Sequence, residues 1–139
     1  MKNVVVDTNI VVSSAISANG NPAAIMALAS DRIIQIYYND EILDEYKRVL
    51  AYERLKIAPE KQAEIIEKVK EIGIIIKPKT GVILMPDESD RIFYDTAKAV
   101  GAILITGNMK HYPDEPFIMM PTDYLIEFNT NFHTNKQEK

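Results

Sequence analysis

The order of apolar segments along this chain predicts a three-layer α/β/α domain with a central, mainly parallel sheet of four to five strands. Short apolar runs such as Val4–Val6 and 102–105 are typical of strands that are covered on both faces of a parallel sheet. Stretches with helical spacing separate these runs, and strands that alternate with helices indicate βαβ units. Polar residues follow both runs directly, at the position where open α/β sheets bind their ligands.

The first half of the chain contains three predicted strands and four predicted helices. Residues 3–6 form the first strand, and a short helix follows from Ile10 to Ile16. Pro22 suits the first turn of the next helix, because the N–H group that proline lacks has no intrahelical partner there. The remaining elements are a helix over 22–30, a strand over 33–37, a helix from Asn39 or Asp40 to about Tyr52, a helix over 59–72 and a strand over 74–76.

The second half begins with a well-marked helix over 87–100. Acidic residues occupy its first turn, Lys98 its last turn, and Gly101 follows it, as the helix dipole and the preference for a C-terminal glycine favour. A strand over 102–105, a strand over 117–119 and a short helix from Pro121 to Phe128 complete the pattern. We expect residues 1–128 to form one domain and residues 129–139 to form a polar, flexible tail.

Length and composition limit the class of protein. The 139 residues suffice for one domain with a single core, and the 47% hydrophobic and 26% charged fractions are ordinary for a globular protein. No apolar run approaches the ~20 residues that span a bilayer, and the first residues lack a signal-peptide pattern. The chain has no cysteine, which excludes disulfides, thiolate zinc sites and a cysteine nucleophile. We therefore expect a cytoplasmic protein with no membrane partner.

Asp7 lies at the end of the first predicted strand and immediately before a helix. It has an ordinary structural explanation, because an aspartate at this position caps a helix and contributes about 1 kcal/mol. A carboxylate at the tip of a parallel strand is also a candidate metal ligand. The residue alone does not decide between these two interpretations.

Two further acidic clusters begin later helices. Glu45 lies at the edge of the apolar arc of its helix and can reach a pocket at the sheet edge, whereas Glu41 lies one turn earlier and further out. Glu41 nevertheless stays an alternative. Asp90 lies in the first turn of its helix, and Asp87 with Asp90 has the spacing of a capping box. Each acid on its own is also explained by capping or by a place at the boundary of the core.

The joint placement of these acids predicts a metal site. Parallel strands align their C-terminal ends, so Asp7, the end of the strand over 33–37 and the end of the strand over 102–105 should share one rim of the sheet. Three carboxylates at that rim repel one another unless a cation lies between them. His111 and His133 lack zinc-ligand spacing, and oxygen ligands favour Mg²⁺ or Mn²⁺ over zinc. A pair of such ions can activate a water and stabilise the displacement at a phosphodiester.

Four motifs occur in the order and spacing of PIN-domain proteins. They are Val-Val-Asp7-Thr8-Asn9, Glu41-Ile-Leu-Asp-Glu45-Tyr-Lys-Arg-Val-Leu, Asp87-Glu-Ser-Asp90-Arg-Ile-Phe-Tyr-Asp-Thr-Ala and Leu-Ile-Thr106-Gly107-Asn108. From Val4 to Phe128 the chain resembles the toxin component of a bacterial toxin–antitoxin pair, in the PIN group with Thr-Gly-Asn-x-Lys-His near the last strand. The resemblance implies a PIN-like fold and an Mg²⁺- or Mn²⁺-dependent endoribonuclease that cleaves single-stranded RNA to 5′-phosphate and 3′-hydroxyl ends.

The resemblance also implies roles for individual residues and partners. By position, the three acids Asp7, Glu45 and Asp90 are the catalytic metal ligands, while Asn9 orients Asp7 and Asp87 adds a direct or indirect metal contact. Many family members have an acid where this chain has Asn108, whose amide oxygen can bind a metal or water but brings no charge. A cognate antitoxin protein and a homodimer are the partners that the family implies, beside the RNA substrate.

The basic residues and the competing functions complete the predictions. Candidate contacts to RNA phosphates are Arg48, Arg91, Lys110 and His111, for which a solvated surface is an equally good explanation. A phosphatase of the haloacid dehalogenase type also has an aspartate at the first strand tip, but it needs a second one where this chain has Asn9. The alternative that Asn108 favours is a PIN-like module that binds RNA or protein with weak or no catalysis.

Overall fold

The computed structural model describes residues 1–137, and it describes side chains up to residue 130. Three short 3-10 helices lie at Glu53–Leu55, Glu88–Asp90 and Met109–His111. The strands and α-helices, in chain order, are β1 Asn3–Val6, α1 Thr8–Ile16, α2 Asn21–Ser30, β2 Gln35–Tyr38, α3 Asp40–Leu50, α4 Pro59–Ile72, β3 Ile74–Ile75, α5 Arg91–Val100, β4 Ile103–Ile105, β5 Ile118–Met119 and α6 Pro121–Gln137.

The five strands form one sheet in the order β3-β2-β1-β4-β5, and every neighbouring pair is parallel. On β1, Val4 lies opposite Ile36 of β2 on one side and Ile103 of β4 on the other. The predicted α/β class with a parallel sheet is confirmed. The chain proceeds outward from β1 to β3 and then returns to β4, so the order reverses between β1 and β4. The carboxyl ends of these two strands therefore flank the crevice in which α/β sheets bind ligands.

The two central strands form the middle of the core. Val4–Val6 of β1 and Leu104 and Ile105 of β4 are completely buried. Helix α5 packs against β1, β2 and β4, while α1 packs against α2 and α3. Because parallel crossovers are right-handed, reversing direction after β3 places α1 and α5 on opposite faces of the sheet. Helices on both faces explain why the strands read as continuous apolar runs.

Capping residues mark the start of α3 and the end of α5. Asn39 caps α3 by accepting a hydrogen bond from the backbone N–H of Ile42 at 2.8 Å. Its amide nitrogen also donates to the hydroxyl of Thr96 on α5, at 2.9 Å. Gly101 ends α5 with a φ of 65°, a left-handed conformation that glycine adopts without a steric penalty. The start of α3 is thus fixed directly to α5.

The second strand begins later than the sequence predicts. The pattern indicated a strand over 33–37, whereas β2 spans Gln35–Tyr38. The backbone N–H groups of Ile33 and Ile34 donate to the carbonyl oxygen of Leu28 at the end of α2, at 3.0 and 3.4 Å. These two residues therefore complete the end of a helix instead of pairing with β1.

Two helices differ from their predicted limits. The predicted helix over 87–100 consists of the 3-10 turn Glu88–Asp90 followed by α5. Helix α6 extends to Gln137, past the predicted end at Phe128. Residues 138 and 139, the end of the predicted tail, lie outside the described residues, and the flexibility of 129–139 stays a prediction. Among the described residues, no helix combines the length and the apolar character needed to cross a membrane.

Candidate metal centre

Asp7 is held at the tip of β1 by hydrogen bonds to both carboxylate oxygens. Its Oδ1 accepts from the backbone N–H of Thr8 at 2.7 Å, which is the predicted helix cap. Its Oδ2 accepts from the hydroxyl groups of Thr106, at 2.8 Å, and Tyr112, at 2.9 Å. Asp7 is only 5% exposed. Residues at the start of α1, directly after β4 and after the following 3-10 turn therefore fix the orientation of this carboxylate.

Asn9 connects the start of α1 to the loop after β4. Its Oδ1 accepts a hydrogen bond from the backbone N–H of Gly107 at 2.9 Å. A Cβ atom at Gly107 would lie 3.2 Å from that oxygen, so glycine permits the close approach. The Nδ2 of Asn9 lies 3.4 Å from Oδ2 of Asp7, a longer bond than those of Thr106 and Tyr112. Asn9 thus positions the strand tip, and the two hydroxyl groups contribute more to the orientation of Asp7.

Glu45 reaches the same rim from α3 through Thr8. The Thr8 hydroxyl donates to Oε2 of Glu45, while its backbone N–H donates to Asp7, so one threonine links the two acids. The Glu45 side chain is 18% exposed, whereas Glu41 is exposed to solvent. Of the two glutamates that the sequence left open, Glu45 is the one that faces Asp7. Arg48 lies beside it, with Nη2 3.6 Å from Oε1.

Asp90 contributes a buried carboxylate oxygen that lacks a hydrogen bond. The residue is 8% exposed, and its Oδ2 has no hydrogen-bond partner among the described residues. Nδ1 of His111 lies 3.0 Å from this oxygen, but the pair is not aligned as a hydrogen bond. Burial, followed by the negative charge of Asp7, raises the pKa of Asp90 to about 6, and His111 opposes the shift. Such an oxygen is costly without a cation beside it.

Asp87 precedes this turn and has a different environment. Its carboxylate accepts hydrogen bonds from the hydroxyl of Ser89, at 2.7 Å, and from the Ser89 backbone N–H, at 3.0 Å. These bonds to the charged form lower the pKa of Asp87, with the hydroxyl bond as the largest cause. At neutral pH the site therefore contains an ionised carboxylate next to one that resists ionisation.

Asp87, Asp90 and His111 form a compact group of candidate ligands. One ligand atom from each lies within 4.8 Å of the others. Among the described residues, the predicted set of Asp7, Glu45 and Asp90 does not meet that spacing. The charges of Asp7 and Glu45 nevertheless both raise the pKa of Asp90, so the five side chains share one electrostatic field. The assignment of the catalytic ligands stays a prediction.

The residues present fit a divalent cation. Two carboxylates and an imidazole are suitable donors for a divalent metal ion, and the buried Oδ2 of Asp90 supplies an unused lone pair. A cation at this place would offset the repulsion that raises the pKa of Asp90.

The predicted RNA-binding residues fall in different environments. Arg91 is 14% exposed at its side chain and bonds to both carboxylate oxygens of Glu88 at 2.7 Å and to the carbonyl oxygen of Gly81 at 2.9 Å. These bonds occupy its guanidinium group, and Arg91 holds the loop before α5 in place. Arg48 and Lys110 are exposed and accessible to a phosphate.

Two residues that bind Asp7 were not predicted from the sequence. Thr106 was recognised as part of a polar strand tip, and its position after an apolar strand was the available signal. Tyr112 gave no signal, because an isolated tyrosine after a turn is common in any core. Asn108 was predicted as a substitute for an acid; its Nδ2 lies 2.8 Å from Nε2 of His111. His111, predicted at a basic rim, instead lies within the acidic group.

A parallel sheet with an acidic group at its carboxyl edge is typical of α/β proteins that act through a divalent cation. Residues 3–110 match the family model described as a PIN domain, and the chain belongs to this family. An uncharacterised protein of Methanocaldococcus jannaschii is 32% identical over 108 residues, which cover 76% of this chain and 70% of that relative. PIN domains are generally metal-dependent nucleases, and the acidic group agrees with such a site.

Proposed function

We propose that this protein is an Mg²⁺- or Mn²⁺-dependent endoribonuclease that cleaves single-stranded RNA by phosphodiester hydrolysis and acts as the toxin of a toxin–antitoxin pair. One observation carries the proposal beyond family membership. The buried Oδ2 of Asp90, which accepts no hydrogen bond from the part of the chain that the structure describes, lies at the rim that also contains Asp7 and Glu45. Carboxylates whose ionisation is opposed by burial and by neighbouring charges concentrate at functional sites, and a bound cation would offset that opposition at Asp90.

The metal would be held by the three acids that match the family's motifs, Asp7, Glu45 and Asp90, and Asp87 lies beside Asp90 as a further carboxylate. A bound divalent ion acidifies water and offsets the charge of a phosphodiester. Thr8 keeps Asp7 and Glu45 in a constant relative position by bonding to both. The hydroxyl groups of Thr106 and Tyr112 would keep the Asp7 carboxylate from rotating while substrate binds.

Substrate contacts are proposed for the exposed cations at this edge. Arg48 lies next to Glu45, and Lys110 precedes His111 in the same turn. Since the chain has a net charge of −4, attraction to RNA must come from such local positive groups and from the bound cation. The cytoplasm, a cognate antitoxin and a homodimer are part of the proposal and rest on the resemblance to PIN-domain toxins.

RNA cleavage with and without metal tests the activity. Purified protein should cleave a single-stranded RNA in Mg²⁺ or Mn²⁺, leave 5′-phosphate ends and stop in EDTA. Asp7→Asn and Asp90→Asn should each reduce the rate by at least about 100-fold, because loss of residues that only orient metal ligands already costs about 10–100-fold. Asp44→Asn is the matched control, since Asp44 is an exposed acid of α3. Equal cleavage by the three variants would refute the assigned site.

A module that binds RNA or protein without cleaving is the second candidate. Two observations favour it: Asn108 brings no charge, and both oxygens of Asp7 already accept hydrogen bonds. Such a module should bind single-stranded RNA in a filter or fluorescence assay and leave it intact with either metal. Metal-dependent cleavage that is lost in Asp90→Asn would exclude it. Growth arrest on expression, relieved by the same substitution, would support the toxin role.

A further inference from the structure

We propose that His111 is a nitrogen ligand of the metal site of Asp87 and Asp90, and that it gives this site a preference for Mn²⁺ over Mg²⁺. The biological meaning of this preference rests on the proposed function, whereas the binding itself can be measured without RNA. The structure brings His111 to the site through the 3-10 turn Met109–His111, which follows β4. The side chain is 44% exposed, so an ion can reach the ring.

The relation between His111 and Asp90 carries the first step. Nδ1 of His111 lies 3.0 Å from Oδ2 of Asp90, yet the two atoms are not aligned as donor and acceptor. In an octahedral site with ligand distances of about 2.0–2.1 Å, neighbouring ligand atoms lie about 2.9 Å apart. The observed separation therefore fits two ligands of one ion as well as it fits an ion pair. The buried Oδ2 has no hydrogen-bond partner among the described residues, which independently supports a cation at this place.

The second ring nitrogen is supported by Asn108. Nε2 of His111 lies 2.8 Å from the side-chain amide of Asn108. As placed, the Asn108 amide presents Nδ2 to the ring, and turning the amide by 180° would let its oxygen accept a hydrogen bond from a protonated Nε2. That tautomer leaves the Nδ1 lone pair free for a metal. Ligating histidines commonly donate their other N–H to an oxygen in this way.

The donor set determines which ion is favoured. Mg²⁺ prefers oxygen ligands and retains several waters, whereas imidazole nitrogen raises affinity for first-row transition ions. Two carboxylates alone suit Mg²⁺ and Mn²⁺ about equally well. Adding the imidazole of His111 to Asp87 and Asp90 therefore shifts the balance toward Mn²⁺. Asn108 in place of an acid also avoids further negative charge, which would increase the attraction for any divalent ion without distinguishing between them.

Mn²⁺ binding to the full-length protein tests the proposal. Pulsed electron paramagnetic resonance of bound Mn²⁺ should show coupling to a directly bonded ¹⁴N nucleus in the wild type. His111→Gln should abolish the coupling while keeping an oxygen donor, and His133→Gln, the change at the other histidine of the chain, should keep it. His111→Gln should weaken Mn²⁺ binding about 10-fold or more and change Mg²⁺ binding less than about 3-fold, measured by competition. Circular dichroism of each variant checks that it is folded.

The possible results separate this proposal from the proposed function. Absence of nitrogen coupling in the wild type, or an equal loss of Mn²⁺ and Mg²⁺ affinity in His111→Gln, would overturn the assignment of His111. Loss of the coupling in His133→Gln would overturn it as well. RNA cleavage without nitrogen coupling would leave the nuclease standing and remove His111 from the ligands. Nitrogen coupling without RNA cleavage would keep His111 as a ligand and contradict the proposed nuclease activity.

Discussion

Replacing Asp90 by asparagine should stabilise the metal-free protein at neutral pH. The pKa of Asp90 is raised from 3.8 to about 6 by burial and by the charge of Asp7, and asparagine of the same shape carries no charge. One pKa unit corresponds to about 1.4 kcal/mol, so the full shift represents about 3 kcal/mol. Solvent at the edge of the site screens part of this, and we expect a gain of about 1–3 kcal/mol in the free energy of unfolding.

The gain should depend on pH in a defined direction. A raised pKa means that the folded protein binds the proton more tightly than the unfolded chain, so ionisation of Asp90 opposes folding. This cost is nearly absent at about pH 4, grows as the pH rises toward about 6, and is complete above that value. The stability difference between Asp90→Asn and the wild type should follow the same course. Urea unfolding in EDTA at several pH values measures it.

Asp87→Asn is the matched control, because its expected effect has the opposite sign. The hydrogen bonds from Ser89 lower the pKa of Asp87, so the ionised form stabilises the fold above the unfolded pKa and this contribution is lost as the pH falls. Asp87→Asn should therefore destabilise the metal-free protein at neutral pH. Added Mn²⁺ should stabilise the wild type and have little effect on Asp90→Asn. A destabilised Asp90→Asn, or a difference independent of pH, would refute the reasoning.

Three further predictions concern Tyr112, the two glutamates of α3 and Arg91. Tyr112→Phe removes a buried hydrogen bond to a carboxylate and should lower the free energy of unfolding by about 1–3 kcal/mol in urea titrations. Glu45→Gln should reduce RNA cleavage strongly and Glu41→Gln only slightly, in initial-rate assays, because only Glu45 is bonded through Thr8 to Asp7. Arg91→Lys should lower the urea midpoint and leave RNA affinity unchanged, because a lysine cannot reproduce the paired bonds of the guanidinium group.

Each of these predictions has a control within the chain. Tyr124→Phe removes a hydroxyl that bonds to the carbonyl oxygen of Met1, so it should lower stability without affecting cleavage. A Tyr112→Phe enzyme with unchanged cleavage would show that Asp7 does not need this bond. Equal activity of the two glutamate variants would remove Glu45 from the site. Arg48→Ala should weaken RNA binding. A larger loss of RNA affinity in Arg91→Lys than in Arg48→Ala would contradict the roles assigned to these two residues.

The fold was predictable because its signals are local. Continuous apolar runs such as Val4–Val6 indicate strands buried on both faces, and caps such as Asn39 and Gly101 mark the ends of helices without reference to distant residues. The start of β2 was not predictable in this way. Whether Ile33 pairs with β1 or completes the end of α2 depends on competing backbone hydrogen bonds, and both alternatives suit an isoleucine.

The acidic residues themselves could be read from the chain, since a carboxylate at a strand tip or in a first helical turn stands out against the pattern around it. Which carboxylate oxygens accept hydrogen bonds, and which one has no partner among the described residues, depends on groups brought together from distant segments. Tyr112 reaches Asp7 and His111 reaches Asp90 only because β4 and the turn after it lie beside β1 and α5. The sequence determines which side chains are available and on which elements they lie. Only the tertiary structure determines which of them come into contact, because charge, burial and hydrogen-bond alignment change over a few ångströms.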